Sequence, residues 1–553
     1  MKSRLTYIPI GIWIDRLGCV RKNVLIKAKN IGGVVLPTRL FNSDMYIFNS
    51  KISVKSISYW YNIKAIIICT IYFWMTSCNP KENMQVQVFE TSATGNKLTE
   101  ITTFNAGDKP VIIKILPDEK YQTITGFGGS FTEASAYLLN KLSPENRNRI
   151  LEAYFGDSGA RYSLTRTHIN SCDFSLSNYA YVKIPGDTTL SDFSIQEDMD
   201  DIIPMIKDAM SVSKDGFKII SSPWTAPPWM KDNNDWRGGK LQPKYYPVWA
   251  NYFSKYVEAY NQQGINIWGI TVENEPLGND NNWESMHFTP QEMNDFVVGH
   301  LGPVLRSRHP EIKILGYDQN RDEELYHWAD AMYDNADARS YFDGMAVHWY
   351  ASTYDYFPDA LQYAHKKAPE KHLIQTEGCI DAQVPVWQND AWYWSEEATD
   401  WGWDWAPEDK KYLHPKYRPV FRYAGDMIGC LNNHVDGWVD WNMVLDKQGG
   451  PNWFKNWCVA PVIVDPGQDE VYFTPLYYVM AHFSRFIRPG AVRLGFDVSD
   501  PQLLCTAAEN KDGSIVVILF NPGETEKGIK LNIKGTTTEL SITGKALQTI
   551  IIN

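Results

Sequence analysis

Residues 267–276, Ile-Trp-Gly-Ile-Thr-Val-Glu-Asn-Glu-Pro, form an apolar, β-branched run that breaks off into polar groups and a proline. Such residues favour pleated backbone, and Pro276 has no N–H with which to extend a buried ladder, so the run reads as a strand that stops at Glu273. Glu273, Asn274 and Glu275 then stand at its C-terminal end. Seven other segments have the same character. The pattern predicts strands over 123–128, 161–168, 217–224, 267–273, 312–317, 344–349, 372–377 and 437–442. Between them run amphipathic stretches such as 201–212, with Ile202, Ile203, Met205, Ile206, Ala209 and Met210 at roughly helical spacing, and 252–260.

Eight strands alternating with helices predict an α/β fold, a (β/α)8 barrel over residues 121–483. An open doubly wound sheet is the alternative, and no GxGxxG follows a first strand to support it. Short β segments at both ends (86–89, 110–116, 502–507, 514–520, 528–533 and 538–551) predict a small antiparallel β-sandwich side domain, its N-terminal strands in 81–120 and the rest in 484–553.

Fifty-three basic against 65 acidic residues give a net charge of -12, which argues against nucleic acid as a partner. Twenty-one Trp are more than a core is expected to need, and flat indole faces suit a hydroxyl-edged ligand such as a sugar. The eight Cys show no zinc-site spacing and are too sparse for a disulfide scaffold.

Residues 65–75 (AIIICTIYFWM) are too few to span a bilayer and match a signal-peptide core, preceded by Lys51, Lys55 and Lys64. With Thr76-Ser77-Cys78 after it, the segment resembles a bacterial lipoprotein signal. The resemblance implies export, lipidation of Cys78 and residence in a bacterial cell envelope, in the periplasm or at the surface, with an N-terminal lipid anchor as the one membrane contact. Residues 1–80 are therefore expected to be leader, and no structure is assigned to 1–44.

In a barrel of this kind chemistry sits where strands end at their C-termini. The fourth strand runs into Thr271-Val272-Glu273-Asn274-Glu275-Pro276, the sixth into Val347-His348-Trp349-Tyr350, and the seventh into Gln375-Thr376-Glu377-Gly378-Cys379. Retaining glycoside hydrolysis uses two carboxyls about 5–5.5 Å apart, and strands four and seven face each other across a barrel mouth. Glu273 is expected to point elsewhere.

The Asn274-Glu275-Pro276 turn and the lone Glu377 resemble clan A glycoside hydrolases. Longer stretches resemble family 30 of that clan: Gly126-Phe-Gly-Gly-Ser-Phe-Thr-Glu133, Ser171-Cys-Asp-Phe-Ser175, Ser222-Pro-Trp-Thr-Ala-Pro-Pro-Trp229, Ala346-Val-His-Trp-Tyr350, Asp440-Trp-Asn442 and Gly449-Gly-Pro-Asn-Trp453. They keep the family's order over about 400 residues. The resemblance implies Glu275 as acid/base and Glu377 as nucleophile. It also implies that Asn274 binds the sugar 2-hydroxyl, that Arg166 keeps Glu377 ionised, and that Asp173, Trp224, His348, Tyr350, Trp441 and Asn452 line the sugar pocket. Several have a plain structural alternative: an ion pair for Arg166 and Asp173, a supporting role for His348, and packing for Trp224 and Trp441. Cys172 and Cys379, beside these residues, are expected to be free buried thiols and not a metal pair.

No metal or organic cofactor is implied, since two carboxyls and water suffice. The family contains glucosylceramidases, β-1,6-glucanases and xylan-active enzymes. The expected partner is accordingly a β-glucoside or a β-glucan, the glucosylceramidase type first and the endo-β-1,6-glucanase second. A catalytically silent glycan-binding surface lipoprotein is the reading from another class. Trp387, Trp392, Trp394, Trp401, Trp403 and Trp405 crowd the segment after Glu377 and are expected to form an aromatic platform beside the aglycone side of the pocket, the alternative being a loop that folds its Trp onto the barrel.

Overall fold

The computed structural model describes residues 28–31, 34–37, 85–382, 384, 386–396 and 406–553. Eight parallel strands close into a barrel in chain order: β1 (Gly126–Phe131), β2 (Leu164–Ile169), β3 (Lys218–Pro223), β4 (Gly269–Thr271), β5 (Lys313–Asn320), β6 (Gly344–His348), β7 (His372–Glu377) and β8 (Gly437–Asn442). β8 returns to β1 with Gly437 opposite Gly126, so the barrel has no open edge. Every expected strand occurs. β1 starts three residues later than expected because Thr123 ends a long strand of another sheet, Val111–Thr123. Its glycines let β2 come close: a Cβ on Gly128 would sit 2.0 Å from the Leu164 carbonyl oxygen.

The outer helices bury one face each. Helix Ile202–Val212 buries Ile202, Ile203, Met205, Ile206 and Ala209, whereas Met210, expected on that face, is 41% exposed. Trp249, Trp328, Trp349 and Trp438 are fully buried, so the core itself absorbs much of the tryptophan that composition assigned to ligand.

Inside the barrel two layers succeed each other. Leu164, Ile220, Leu315, Ala346, Ile374 and Val439 form an apolar layer, one residue from each of six strands. Successive side chains alternate faces, so the residue two further along points inward again. Those residues are Arg166, Ser222, His348, Thr376 and Trp441. On β5 the ladder slips between Tyr317 and Gln319, with left-handed φ at Tyr317 (72°) and Asp318 (57°). The slip turns Asp318, three residues beyond Leu315, into the same upper layer.

The side domain is a nine-stranded sheet in the order Thr536–Ile542, Lys527–Ile533, Val111–Thr123, Val492–Val498, Leu504–Glu509, Ile515–Asn521, Ala546–Ile552, Val86–Ser92 and Thr99–Glu100. It folds into a sandwich around Val88, Ile113, Ile115, Val517, Leu519 and Leu531. Gln548 reaches the Ser541 carbonyl at 3.0 Å across that fold. Two expectations are corrected. The single strand expected over 538–551 is a pair separated at 543–545, where Lys545 has φ 48°. The sheet is not wholly antiparallel, because Val111–Ile115, supplied by the N-terminal segment, runs parallel to Ile529–Ile533. His482 on helix Pro475–Ser484 ties the sheet to the barrel, bonding Thr549 at 2.8 Å and Thr91 at 2.9 Å.

Within the first 80 residues the structure describes an antiparallel pair, Ala28–Ile31 with Val34–Pro37, where no element was expected. The proposed signal segment 65–75 and Cys78 lie outside the described residues.

Candidate active site

The turn after β4 is pinned from both sides. Asn274 N–H donates to the Pro223 carbonyl of β3 at 2.8 Å, and Glu275 N–H to the Asp318 carbonyl of β5 at 2.9 Å. Glu275 has φ 48°, a left-handed conformation unusual for a residue with a Cβ. Strand alternation alone would put Glu273 and Glu275 on one face. The ladder ends at Thr271, however, and this turn parts them. Glu273 is fully buried with both oxygens unpartnered, and burial raises its carboxyl well above the ordinary range against the opposing charge of Lys231.

Arg166 organises the upper layer. Its Nη1 donates to Glu377 Oε2, its Nη2 to Asn274 Oδ1 and Asp318 Oδ2 (both 2.8 Å), and its Nε to Ser222 Oγ at 3.0 Å. The guanidinium also lies 4.8 Å from the ring of Trp224 and 5.5 Å from that of Trp441, which stack with centroids 5.0 Å apart. The second oxygen of Glu377, Oε1, accepts from the Tyr350 hydroxyl at 3.0 Å. His348 spans the site, with Nδ1 3.2 Å from Glu275 Oε1 and Nε2 3.0 Å from Asp318 Oδ1. One ligand atom each of Glu275, His348 and Glu377 lie within 4.8 Å of one another.

The charges are interdependent. Burial opposes ionisation of Asp318, but Arg166 and His348, with the hydroxyl of Thr271 at 2.6 Å, hold its carboxyl well below the usual range. Burial likewise disfavours a charged His348, and the carboxylates of Glu377 and Asp318 overcome it, raising the imidazole to about 9. Glu377 is pushed upward by burial, with His348 and Arg166 opposing.

The structure thus brings Arg166, Asn274, Glu275, His348, Tyr350 and Glu377 together, with Trp224 and Trp441 as the wall behind Arg166. Asp173 is 4% exposed, and its Oδ2 accepts from Asn456 Nδ2 at 3.2 Å while Oδ1 has no partner. Asn452 has its side chain occupied locally: Nδ2 donates to the Asn456 carbonyl at 2.6 Å, and Oδ1 accepts from Asn456 N–H at 2.9 Å. It shapes the loop, and Asn456 is the residue that faces Asp173. Asp318 and Asn456 both escaped the sequence reading. Asp318 had a signal, since it directly follows the expected end of the fifth strand at Tyr317.

Cys172 and Cys379 are free and buried, as expected. The sulfur next to Cys379 is Cys458, at 3.2 Å. Of the six clustered Trp, Trp392 (5% exposed) and Trp394 (6%) pack into the body of the molecule, and Trp387 lies edge-on against Tyr472. Aromatic burial outweighs display at these two positions, correcting the platform there, and Trp401, Trp403 and Trp405 lie outside the described residues.

A closed (β/α)8 barrel with two carboxyls facing each other at its C-terminal mouth is the architecture of a glycoside hydrolase. The family comparisons agree: residues 124–487 match the glycosyl hydrolase family 30 TIM-barrel domain and residues 490–550 its β-sandwich domain. The chain belongs to glycoside hydrolase family 30. It is 34% identical over 421 residues to lysosomal acid glucosylceramidase of Mus musculus, covering 74% of this chain and 77% of that one. It is 29% identical over 422 residues to endo-1,6-beta-D-glucanase of Neurospora crassa, covering 73% and 80%. Among solved structures, SrfJ from Salmonella typhimurium superposes with TM-score 0.75 at 29% identity, and an endo-beta1,6-glucanase with 0.72 at 29% identity; both matches cover 84% of this chain and 99% of the other.

Proposed function

We propose that this hydrolase cleaves β-glucosides with retention of configuration, Glu377 acting as nucleophile and Glu275 as acid/base. The observation that carries this reading is the approach of the two carboxyls, whose oxygens come within 4.8 Å. That fits the about 5–5.5 Å of retaining enzymes and leaves no room for the water that inverting enzymes hold between groups about 6.5–9.5 Å apart.

Each neighbour then has a task. Arg166 and Tyr350 hold one oxygen each of Glu377 and so fix its direction of attack on the anomeric carbon. Arg166 also engages the Asn274 carbonyl oxygen, which leaves the amide N–H2 to donate to the sugar 2-hydroxyl. When Glu275 gives its proton to the departing oxygen it becomes anionic beside His348, whose cation stabilises it until it takes a proton from the incoming water. His348 thereby serves the acid/base through charge and not by proton transfer. The unpartnered Oδ1 of Asp173 is a buried acceptor that a sugar hydroxyl would satisfy.

For the substrate, the glucosylceramidase type comes first. The loops that leave β4, β6 and β7 carry the exposed apolar side chains Leu277 (38%), Tyr354 (61%) and Tyr412 (68%), which suit an apolar aglycone. Endo-β-1,6-glucanase action is second, favoured by the full-length likeness to a solved enzyme of that activity. Incubating the purified protein with glucosylceramide and with pustulan separates them. Glucose release from the lipid alone supports the first, and gentio-oligosaccharides from pustulan replace it with the second. The proposal also includes export and lipidation of Cys78, read from residues 65–78. A diacylglyceryl adduct on the Cys78 peptide is the expected mass, and an intact unmodified N-terminus would contradict it.

A further inference from the structure

Beyond Glu377, β7 continues through Gly378 and Cys379 to Ile380, which pairs with Val459 in an isolated antiparallel bridge; Val459 N–H donates to the Ile380 carbonyl at 2.9 Å. The bridge sets Cys458 across from Cys379 and Asp381. Cys379 Sγ lies 3.2 Å from Cys458 Sγ, and the two sulfurs lie 3.5 and 3.4 Å from the same oxygen, Asp381 Oδ1. We propose that Cys379, Asp381 and Cys458 bind a thiophilic divalent cation of the zinc class, and that its binding inhibits the hydrolase.

Three atoms at these separations surround a point about 2 Å from each, close to the ordinary Zn–O and Zn–S bonds of about 2.0 and 2.3 Å. The sulfurs are too far apart for the about 2.05 Å of a disulfide bond. Both thiols are 1% exposed, while Asp381 is only partly buried and offers the way in. An ordinary thiol is protonated at neutral pH, and burial raises both of these above that range, so without an ion both sulfurs hold their protons. Binding therefore breaks two S–H bonds, forms two metal–sulfur bonds and releases two protons to solvent.

The route to the glutamates is one side chain long. The Tyr350 hydroxyl donates to Glu377 Oε1 at 3.0 Å and lies 3.4 Å from Cys379 Sγ. A metal-bound thiolate is a stronger acceptor than a thiol and draws that O–H away from Glu377. Losing one hydrogen bond to a charged group lowers turnover about tenfold or more.

Cd²⁺ titration of the reduced full-length chain tests both halves. The expected result is a saturable cadmium–thiolate charge-transfer band, two protons released per ion, and at least tenfold slower aryl β-glucoside hydrolysis that a chelator restores. In Cys458→Ala that band component and the inhibition are expected to disappear while basal hydrolysis persists, and Cys458→Ser covers a failure of the alanine variant to fold. Band and inhibition unchanged in both variants would overturn the site, as would no band in the wild type or a Cys379–Cys458 crosslink in the native protein. The inhibitory half rests on the proposed function, whereas absorbance and proton release read binding without it. Saturation of the band with hydrolysis untouched would overturn the inhibitory half.

Discussion

The two layers inside the barrel come from the same strands, one alternation apart, and are chemically opposite. The lower layer is Leu164, Ile220, Leu315, Ala346, Ile374 and Val439, packed without a polar side chain. The upper holds Arg166, Ser222, Asp318, His348, Thr376 and Trp441, with Asp318 bonded to Arg166, His348, Thr271 and Thr376. The lower layer gives up apolar surface to the interior and so stabilises the barrel. The upper layer holds charges that are tolerable only as a set, because removing one leaves its partners buried and unpaired. The contrast teaches that a tightly packed apolar floor lets a charged layer above it keep fixed geometry and strong electrostatic coupling.

The comparison can be broken most severely at β7. Glu377→Gln is expected to lower kcat for an aryl β-glucoside about 10⁴-fold or more, and to cost less stability than loss of Asp318, because Asp318 still pairs both Arg166 and His348. Ile374→Ala, three residues earlier, should do the reverse, costing about 2–5 kcal/mol of stability with kcat/KM close to wild type. Chemical denaturation and steady-state kinetics on the pair measure both, and equal losses of activity would erase the distinction between the layers. Asp318→Asn stands between them: it removes the one carboxylate that Arg166 and His348 share, and is expected to cost about 3–5 kcal/mol together with about 100-fold in kcat/KM.

A smaller effect sharpens the electrostatic side. His348 has its pKa raised from 6.5 to about 9 in the folded state, so its contribution to stability is fully present below about pH 6.5 and is lost as pH rises through about 9. Melting temperatures of the wild type should therefore fall between pH 7 and 10 more steeply than those of His348→Gln. Parallel curves would show that the imidazole is neutral. The smallest change is expected at the rim, where Asn456→Ala frees one oxygen of Asp173 and should raise KM less than about tenfold with kcat kept.

Where a short apolar run ends in a polar residue, as β7 and β8 do, the expected and observed bounds coincide. Asn274, Glu275, His348, Tyr350 and Glu377 were legible because each stands at or just beyond a strand end, whereas Arg166, in the middle of β2, was legible through the family resemblance. Asp318 also directly follows an expected strand end, but a bulge inserts a residue between Leu315 and the upper layer, and hydrophobic periodicity does not show that this turns its side chain inward. For Asn452, only the folded loop shows that its amide closes on the backbone of Asn456. Trp392 and Trp394 were misread because composition counts aromatic rings without saying which surface they cover.

The central proposal is that the upper layer aims Glu377 at an anomeric carbon. Treating the protein with a 2-fluoro-β-glucoside bearing an activated leaving group and sequencing the labelled peptide by mass spectrometry tests it directly. One fluoroglucosyl adduct is expected, on Glu377. An adduct on Glu275, Asp318 or another carboxyl, or turnover with no covalent adduct at all, would contradict it.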